Sequence, residues 1–240
     1  MRRARGADGR AAGGAAAPPA WLAGLVRVLP EVRAEQLSRF LPPPTGGRHS
    51  AVLILFGEGV TGPDVLLIER AHTLRAHAGQ PAFPGGALDP ADGDPAADGP
   101  VNAALREATE EVGLDPGTVE VLGQLPALFL PPSGFVVHPV VGWWRAPHGV
   151  DVVDEAEVAA VARVPIAELV EPTNRLRVRH PSGWVGPAFE VRGLLVWGFT
   201  AGLLDRLLAL AGWERPWDAT RSRTLDPEPV TPAGHSRAAG

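Results

Sequence analysis

Three carboxylates, Glu107, Glu110 and Glu111, fall close together in the stretch VNAALREATEEV that starts at Val101. A helix turns by about 100 degrees per residue, so positions three and four apart share a face and these three acids would form one stripe. Val101, Ala104, Leu105, Ala108 and Val112 fall on the opposite side. Like charges at that spacing cost a helix roughly a few tenths of a kcal/mol per pair, and Arg106 relieves only part of it. Two readings follow. One is a solvated face with an Arg106 to Glu110 salt bridge. The other is a cradle for a hard divalent cation, Mg2+ or Mn2+, which prefers oxygen ligands and bridges readily to phosphate.

The residues upstream favour the cradle. REATEEVGL, from Arg106 to Leu114, together with FPGG at 83 to 86, resembles the Nudix hydrolase signature, whose second half reads Arg-Glu-apolar-any-Glu-Glu-any-Gly-apolar. The resemblance implies an α/β/α sandwich with a mixed β-sheet and a loop-helix-loop catalytic box. One departure stands out. The family's spacing puts the arginine fourteen residues after Gly86, whereas Arg106 lies twenty on, so six extra residues sit in LDPADGDPAADGP. Counting back eight residues from Arg106 places Asp98 where the family has a glutamate that supports the loop by pairing with that arginine.

A longer stretch, LLIERAHTLRAHAGQPAFPGG from Leu66 to Gly86, is similar to the coenzyme A pyrophosphatase branch of that family. Arg70, Arg75, Gly79, Phe83, Pro84, Gly85 and Gly86 match its offsets, and Ile68 departs from it where threonine is common. HPVVG at 138 to 142 and WGFTAGLL at 197 to 204 look like the same branch. By this resemblance Glu107, Glu110, Glu111 and the Gly85 carbonyl hold Mg2+ or Mn2+, and water attacks a diphosphate to release 3',5'-ADP and 4'-phosphopantetheine. Arg70 and Arg75 offer planar forks for phosphate oxygens, including the 3'-phosphate, with His77, Gln80, Phe83 and Gly86 completing the substrate contacts. Ordinary surface salt bridges are the plain alternative for the two arginines. Arg106 orients the carboxylates, and Glu157, in DEAEVAAVARVPIAEL, is the candidate general base or else a solvated residue opening a short helix. Trp143, Trp144, Trp184 and Trp197 either stack on adenine or pack in the core. Other substrates stay open: ADP-ribose, NADH or dinucleoside polyphosphates, as does a non-catalytic nucleotide-binding module.

The elements that must position these residues can be read from periodicity. Of 240 residues, 45% are hydrophobic, enough for one core, expected over 21–215 between unstructured tails at 1–20 and 216–240. Trp21 to Phe40 suits two short helices around Pro30, and Ser50 to Phe56 with Asp64 to Glu69 reads as a hairpin. A loop from Ala71 to Gly99 leads to the acidic helix, which Gly113 stops. Strands are expected at Val119 to Leu125, Phe135 to Trp144 and Phe189 to Trp197, then a last helix from Thr200 to Ala211.

Composition excludes several classes. There is no cysteine, hence no disulfide, thiolate metal site or thiol nucleophile, which suits a cytoplasmic setting. The basic N-terminal stretch lacks the apolar core of a secretory signal. LLDRLLALAG is interrupted by Asp205 and Arg206, so no membrane span is expected. A net charge of -5 argues against nucleic acid as a partner. The expected partner is a small, coenzyme A-like nucleotide, whose phosphates need a bridging cation against so acidic a chain, and a homodimer is possible.

Overall fold

The computed structural model describes residues 17–74, 77–131 and 133–225. Around Pro30 the chain forms two short helices, α1 (Ala23–Val28) and α2 (Ala34–Leu37). The expected hairpin follows as β1 (Arg48–Gly59) and β2 (Gly62–Arg70), with Gly59 facing Gly62 across its turn. The long connection to the acidic helix carries two short strands, β3 (Pro81–Ala82) and β4 (Gly85–Ala87), before α3 (Gly99–Val112), which ends at Gly113. Next come β5 (Val119–Gln124), β6 (Leu128–Leu130), β7 (Phe135–Trp144), β8 (Val158–Pro165) and α4 (Ile166–Leu169). The chain continues through β9 (Arg175–Arg179), β10 (Val185–Val191), β11 (Leu194–Val196), α5 (Gly198–Leu210) and β12 (Ser222–Thr224).

The larger sheet is mixed. Its central pair, β1 and β7, is parallel, while β2, β4, β5, β6 and β8 join it in antiparallel fashion. Side chains alternate across a strand, so each central strand feeds two cores. Ala51, Leu53 and Leu55 of β1 join Leu66 and Ile68 of β2 and Val140 of β7 against Ala104, Ala108 and Val112 of α3. Ile54 and Phe56, with Val65, Leu67 and Val141, point the other way, towards Leu22 and Leu25 beside and within α1 and Leu204 and Leu207 of α5. The result is the α/β/α sandwich. A second sheet, in the order β11, β10, β9, β12, lies beside α5.

Several elements differ from expectation for identifiable reasons. The alanine-rich run from Val158, expected to open a short helix, is strand β8, because seven residues of β2 supply a ladder for it from Asp64 to Arg70. Tertiary pairing here overrides the helix preference of alanine. The expected strand Phe189 to Trp197 is a hairpin, broken at Arg192 and Gly193, which both take positive φ (52° and 79°). Ordered chain also continues beyond 216, since β12 pairs in parallel with β9 and Arg221 and Arg223 reach Glu190. Among the described residues no helix is long and apolar enough to cross a membrane.

Arg175 ties β9 to the C-terminal part of the chain. It is 1% exposed, pairs with Asp205 of α5 and with Glu214 at 3.0 Å, and its guanidinium lies over the rings of Phe189 and Trp217. Removing one partner of a buried ion pair strands the others, so Arg175→Ala should cost about 3 kcal/mol of stability in urea unfolding. A change below about 0.5 kcal/mol, within the range of ordinary surface substitutions, would show that the network is dispensable.

Candidate functional site

The Gly85–Gly86 corner and α3 meet edge to face. Strand β4 pairs with β1 through Val52 and Gly85, which presses the corner against the sheet. A Cβ at Gly85 would collide with the Ala51 carbonyl, and φ there is 153°, so only glycine fits. At Gly86 a Cβ would lie 2.5 Å from the Glu107 carboxylate. Glycine is thus what lets Glu107 approach the corner. One turn further along α3, Glu111 accepts the Gly85 N–H at 2.9 Å.

Arg106 braces this arrangement from the solvent side. Its guanidinium donates to Asp92 at 3.0 and 2.9 Å, to Glu110 at 2.8 Å and to the Ala87 carbonyl at 3.2 Å, and it pairs with Glu107 at 3.0 Å. The loop partner of Arg106 is therefore Asp92 and not Asp98, which is exposed at the mouth of α3. Counting forward from Gly86, rather than back from Arg106, lands on Asp92, because the six extra residues all lie between the two. Asp92 is buried, and its hydrogen bonds from Arg106 hold its carboxyl below the usual range. It also accepts the Asp89 N–H at 2.8 Å, while its carbonyl accepts from Asn102 Nδ2 at 2.9 Å.

The charges do not balance inside the corner. Glu111 is 1% exposed, and its Oε1 has no hydrogen-bond partner. Burial pushes its carboxyl up to about 8, against the Gly85 N–H, with Glu107 and Glu157 repelling it and Arg70 attracting it. Burial likewise raises Glu107, with Arg106 opposing and Glu110 and Glu157 adding to the shift. Glu157 thus belongs to the same electrostatic cluster. It sits in the turn leading into β8, where its carbonyl accepts the Ala71 N–H at 2.8 Å. A register shift between Glu69 and Arg70 against β8 brings Arg70 opposite Val158, next to Glu157. Bulges of this kind re-aim a side chain.

This donor set suits a hard divalent cation: an unpartnered buried carboxylate oxygen, a second carboxylate resisting ionisation and a glycine corner without side chains. The three helix acids are not equivalent, however. Glu110, 56% exposed at its side chain, is turned to Arg106, and among the described residues no three histidine or acidic side chains already form a metal cage.

The expected substrate contacts are scattered. Arg70 faces the acidic cluster, with its Nε buried and unpartnered. Arg75 lies outside the described residues. His77, at φ 59°, bonds through Nδ1 to Gln80 Oε1 at 2.9 Å, in an excursion that closes where Gly79 N–H and Arg70 N–H meet the carbonyls of Arg70 and Gln80. Phe83, expected to contact substrate, is instead buried in the core with Leu67 and Phe56. Its aromatic ring is the apolar anchor that pins the strand entering the corner. Trp143 and Trp144 are likewise core residues, Trp144 donating to Thr118 Oγ1 at 3.1 Å. Trp184 and Trp197 lie far along the chain, tilted against each other at 6.4 Å with His180 stacked on Trp197 at 5.7 Å. The spacing Gly85, Gly86, Asp89, Asp92 also looks like the coenzyme A branch, but the role of pairing with Arg106, expected of Asp98, falls to Asp92.

Residues 47–184 match the family model described as NUDIX domain. A Citrobacter koseri protein described as "Uncharacterized Nudix hydrolase NudL" is 40% identical over 194 residues, 78% of this chain and 90% of the relative. The Cronobacter sakazakii protein of the same description is 43% identical over 160 residues, 64% and 78% of the two chains. Among solved structures, a Nudix hydrolase from M. smegmatis, RenU, aligns over 72% of this chain and 92% of its own, with a TM-score of 0.49 and 21% identity.

Glu111 sets a pH dependence whose sign is fixed. The folded protein holds that proton up to about 8, whereas the unfolded chain releases it near the ordinary 4.5. Between these values the folded state binds the extra proton, so stability falls as pH rises through the window. Melting temperatures of the metal-free protein from about pH 5 to about pH 8.5 should decline more steeply than those of Glu111→Gln, which cannot titrate there. Parallel curves would refute the assignment.

Proposed function

Because the chain belongs to the Nudix family, we propose that this Nudix hydrolase cleaves the diphosphate of coenzyme A or acyl-coenzyme A, giving 3',5'-ADP and 4'-phosphopantetheine or its acyl derivative. The observation that carries the hydrolytic part is the partnerless buried oxygen of Glu111 beside Glu107 at a side-chain-free corner. The substrate rests on the Leu66 to Gly86 motif and on Arg70, whose guanidinium faces the acidic cluster from β2.

Glu107, Glu110, Glu111 and the Gly85 carbonyl are the groups that would hold Mg2+ or Mn2+, which when bound supplies positive charge against the diphosphate and acidifies water. Arg70, whose guanidinium attracts Glu111, is suited to a non-bridging phosphate oxygen. Glu157, in the turn before β8, takes up the proton lost by water as oxygen attacks phosphorus in line. The bond to the bridging oxygen breaks, and that oxygen leaves on the second phosphate. Arg106 touches none of the reacting atoms; its bonds to Asp92 and Ala87 keep α3 and the corner in register. Arg75, six residues before the Gly-Gln-Pro turn closes on β3, is assigned to the 3'-phosphate by its place in the motif.

Product identification after parallel incubation with coenzyme A, an acyl derivative and ADP-ribose, each with Mg2+ and with Mn2+, tests the reading. 3',5'-ADP should appear from the first two; turnover of ADP-ribose alone would overturn the substrate. Glu111→Gln should lower turnover by about 100-fold or more while circular dichroism stays native. Full activity in that folded variant would remove Glu111 from the site. Arg75→Ala should raise KM for coenzyme A more than for any substrate without a 3'-phosphate, and equal effects would discard that contact.

A further inference from the structure

Glu157 is exposed, and an exposed side chain on a loop keeps its place only as well as the loop does. The connection from β7 to β8 is tied to the acidic helix along its length. His148 Nε2 accepts the Asp115 N–H at 3.1 Å, just beyond the end of α3. The last carbonyls of a helix have no partner within it, and here the connection supplies two. Val112 O accepts the Asp151 N–H at 3.3 Å, and Glu111 O accepts the Val153 N–H at 2.9 Å. Val150 and Val152 pack against the core that contains Ala108 and Val112. Glu111 is thereby joined to the Gly85 amide by its side chain and to the Glu157 loop by its backbone.

The turn that carries Glu157 is shaped by Asp154. Its carboxylate accepts the Ala156 N–H at 2.9 Å, and its carbonyl accepts the N–H groups of Glu157 at 3.2 Å and Val158 at 2.9 Å. An aspartate that bonds the amide two residues on closes a turn by itself. On the other side the Glu157 carbonyl takes the Ala71 N–H at 2.8 Å, so both backbone polar groups of Glu157 are engaged. Two acids ride on this turn, Glu155 and Glu157. Glu157 is the one whose charge adds to the upward shifts of Glu107 and Glu111, so the shape of the turn selects which acid faces the cluster.

We propose that Asp154 is a positioning residue for the hydrolysis: it touches none of the reacting atoms and sets the turn that aims Glu157 at the acidic corner. The inference rests on Glu157 as the proton acceptor in the reading above, and not on which diphosphate is cut.

Asp154→Ala removes the acceptor for the Ala156 N–H, whereas Asp154→Asn keeps an oxygen there. kcat and KM are measured for coenzyme A, or for ADP-ribose should only that turn over, so loss of the coenzyme A reading leaves the test standing. Asp154→Ala should lower kcat by about tenfold or more with KM within about twofold, and Asp154→Asn should recover kcat to within about threefold. Glu157→Gln should itself be slower by about 100-fold, and adding Asp154→Ala to it should change kcat by no more than about twofold. An equal loss in both backgrounds makes Asp154 a part of the fold alone and overturns the proposal. So does Glu157→Gln at full rate, which leaves the hydrolase reading standing with its base elsewhere. Should Asp154→Ala not fold, Asp154→Glu, which keeps the charge and displaces the acceptor by one methylene, takes its place with the same expectations. Hydrolysis of neither substrate overturns the reading of function, and Mn2+ alone then decides the turn. In protein with isotope-labelled glutamate carboxyls, the NMR signal of Glu157 should broaden on adding Mn2+, in Asp154→Asn as in the unaltered protein, and the broadening should be lost in Asp154→Ala. A Glu157 signal unaffected in the unaltered protein, or broadened equally in Asp154→Ala, overturns the proposal.

Discussion

A carboxyl group removed from water must keep its proton or gain a cation, and Glu111, buried beside Glu107, holds its proton up to about 8. The Gly85 amide satisfies one of its oxygens, and the other has no partner. Arg106, the nearest helix cation in sequence, is committed to Asp92, Ala87, Glu110 and Glu107. It acts as a brace, which leaves Arg70 as the cation that attracts Glu111. The paired strands β1 and β4, the glycines between them and the bulge that turns Arg70 inward all converge on this one buried carboxyl.

Much of that arrangement was legible in the amino-acid pattern, and its limits are instructive. Residues at helical spacing placed the acids on α3, and β-branched runs located β1, β2 and β7 to within a few residues, because each has a strong period and clear flanking turns. What periodicity cannot see is pairing. Val158 to Pro165 reads as alanine-rich and helical until β2 is known to lie alongside it. Phe83 looks like a recognition residue in a glycine-rich motif, yet its ring is spent on the core. Distance along the chain also misled: Asp98 stands at the customary offset from Arg106, but the inserted residues shift the true partner to Asp92.

The insertion does little harm because both of its ends are fixed. Asp92 is held by Arg106 and by Asn102, and Gly99 N–H returns to the Asp94 carbonyl at 3.1 Å, so the added residues form a closed surface turn before α3 begins. Lengthening such a loop costs only logarithmically in entropy. The same logic applies to the excursion after Arg70, whose ends are zipped together by backbone bonds.

Strand β12 has a practical meaning for handling the molecule. It covers the outer side of β9, and Arg221 and Arg223 fasten it through Glu190. A version trimmed at Pro216, where composition alone would end the fold, leaves a row of unsatisfied amides and carbonyls facing solvent, the kind of bare border on which a neighbouring molecule adds a strand. Recombinant protein that keeps the chain through Leu225 avoids that route to precipitation.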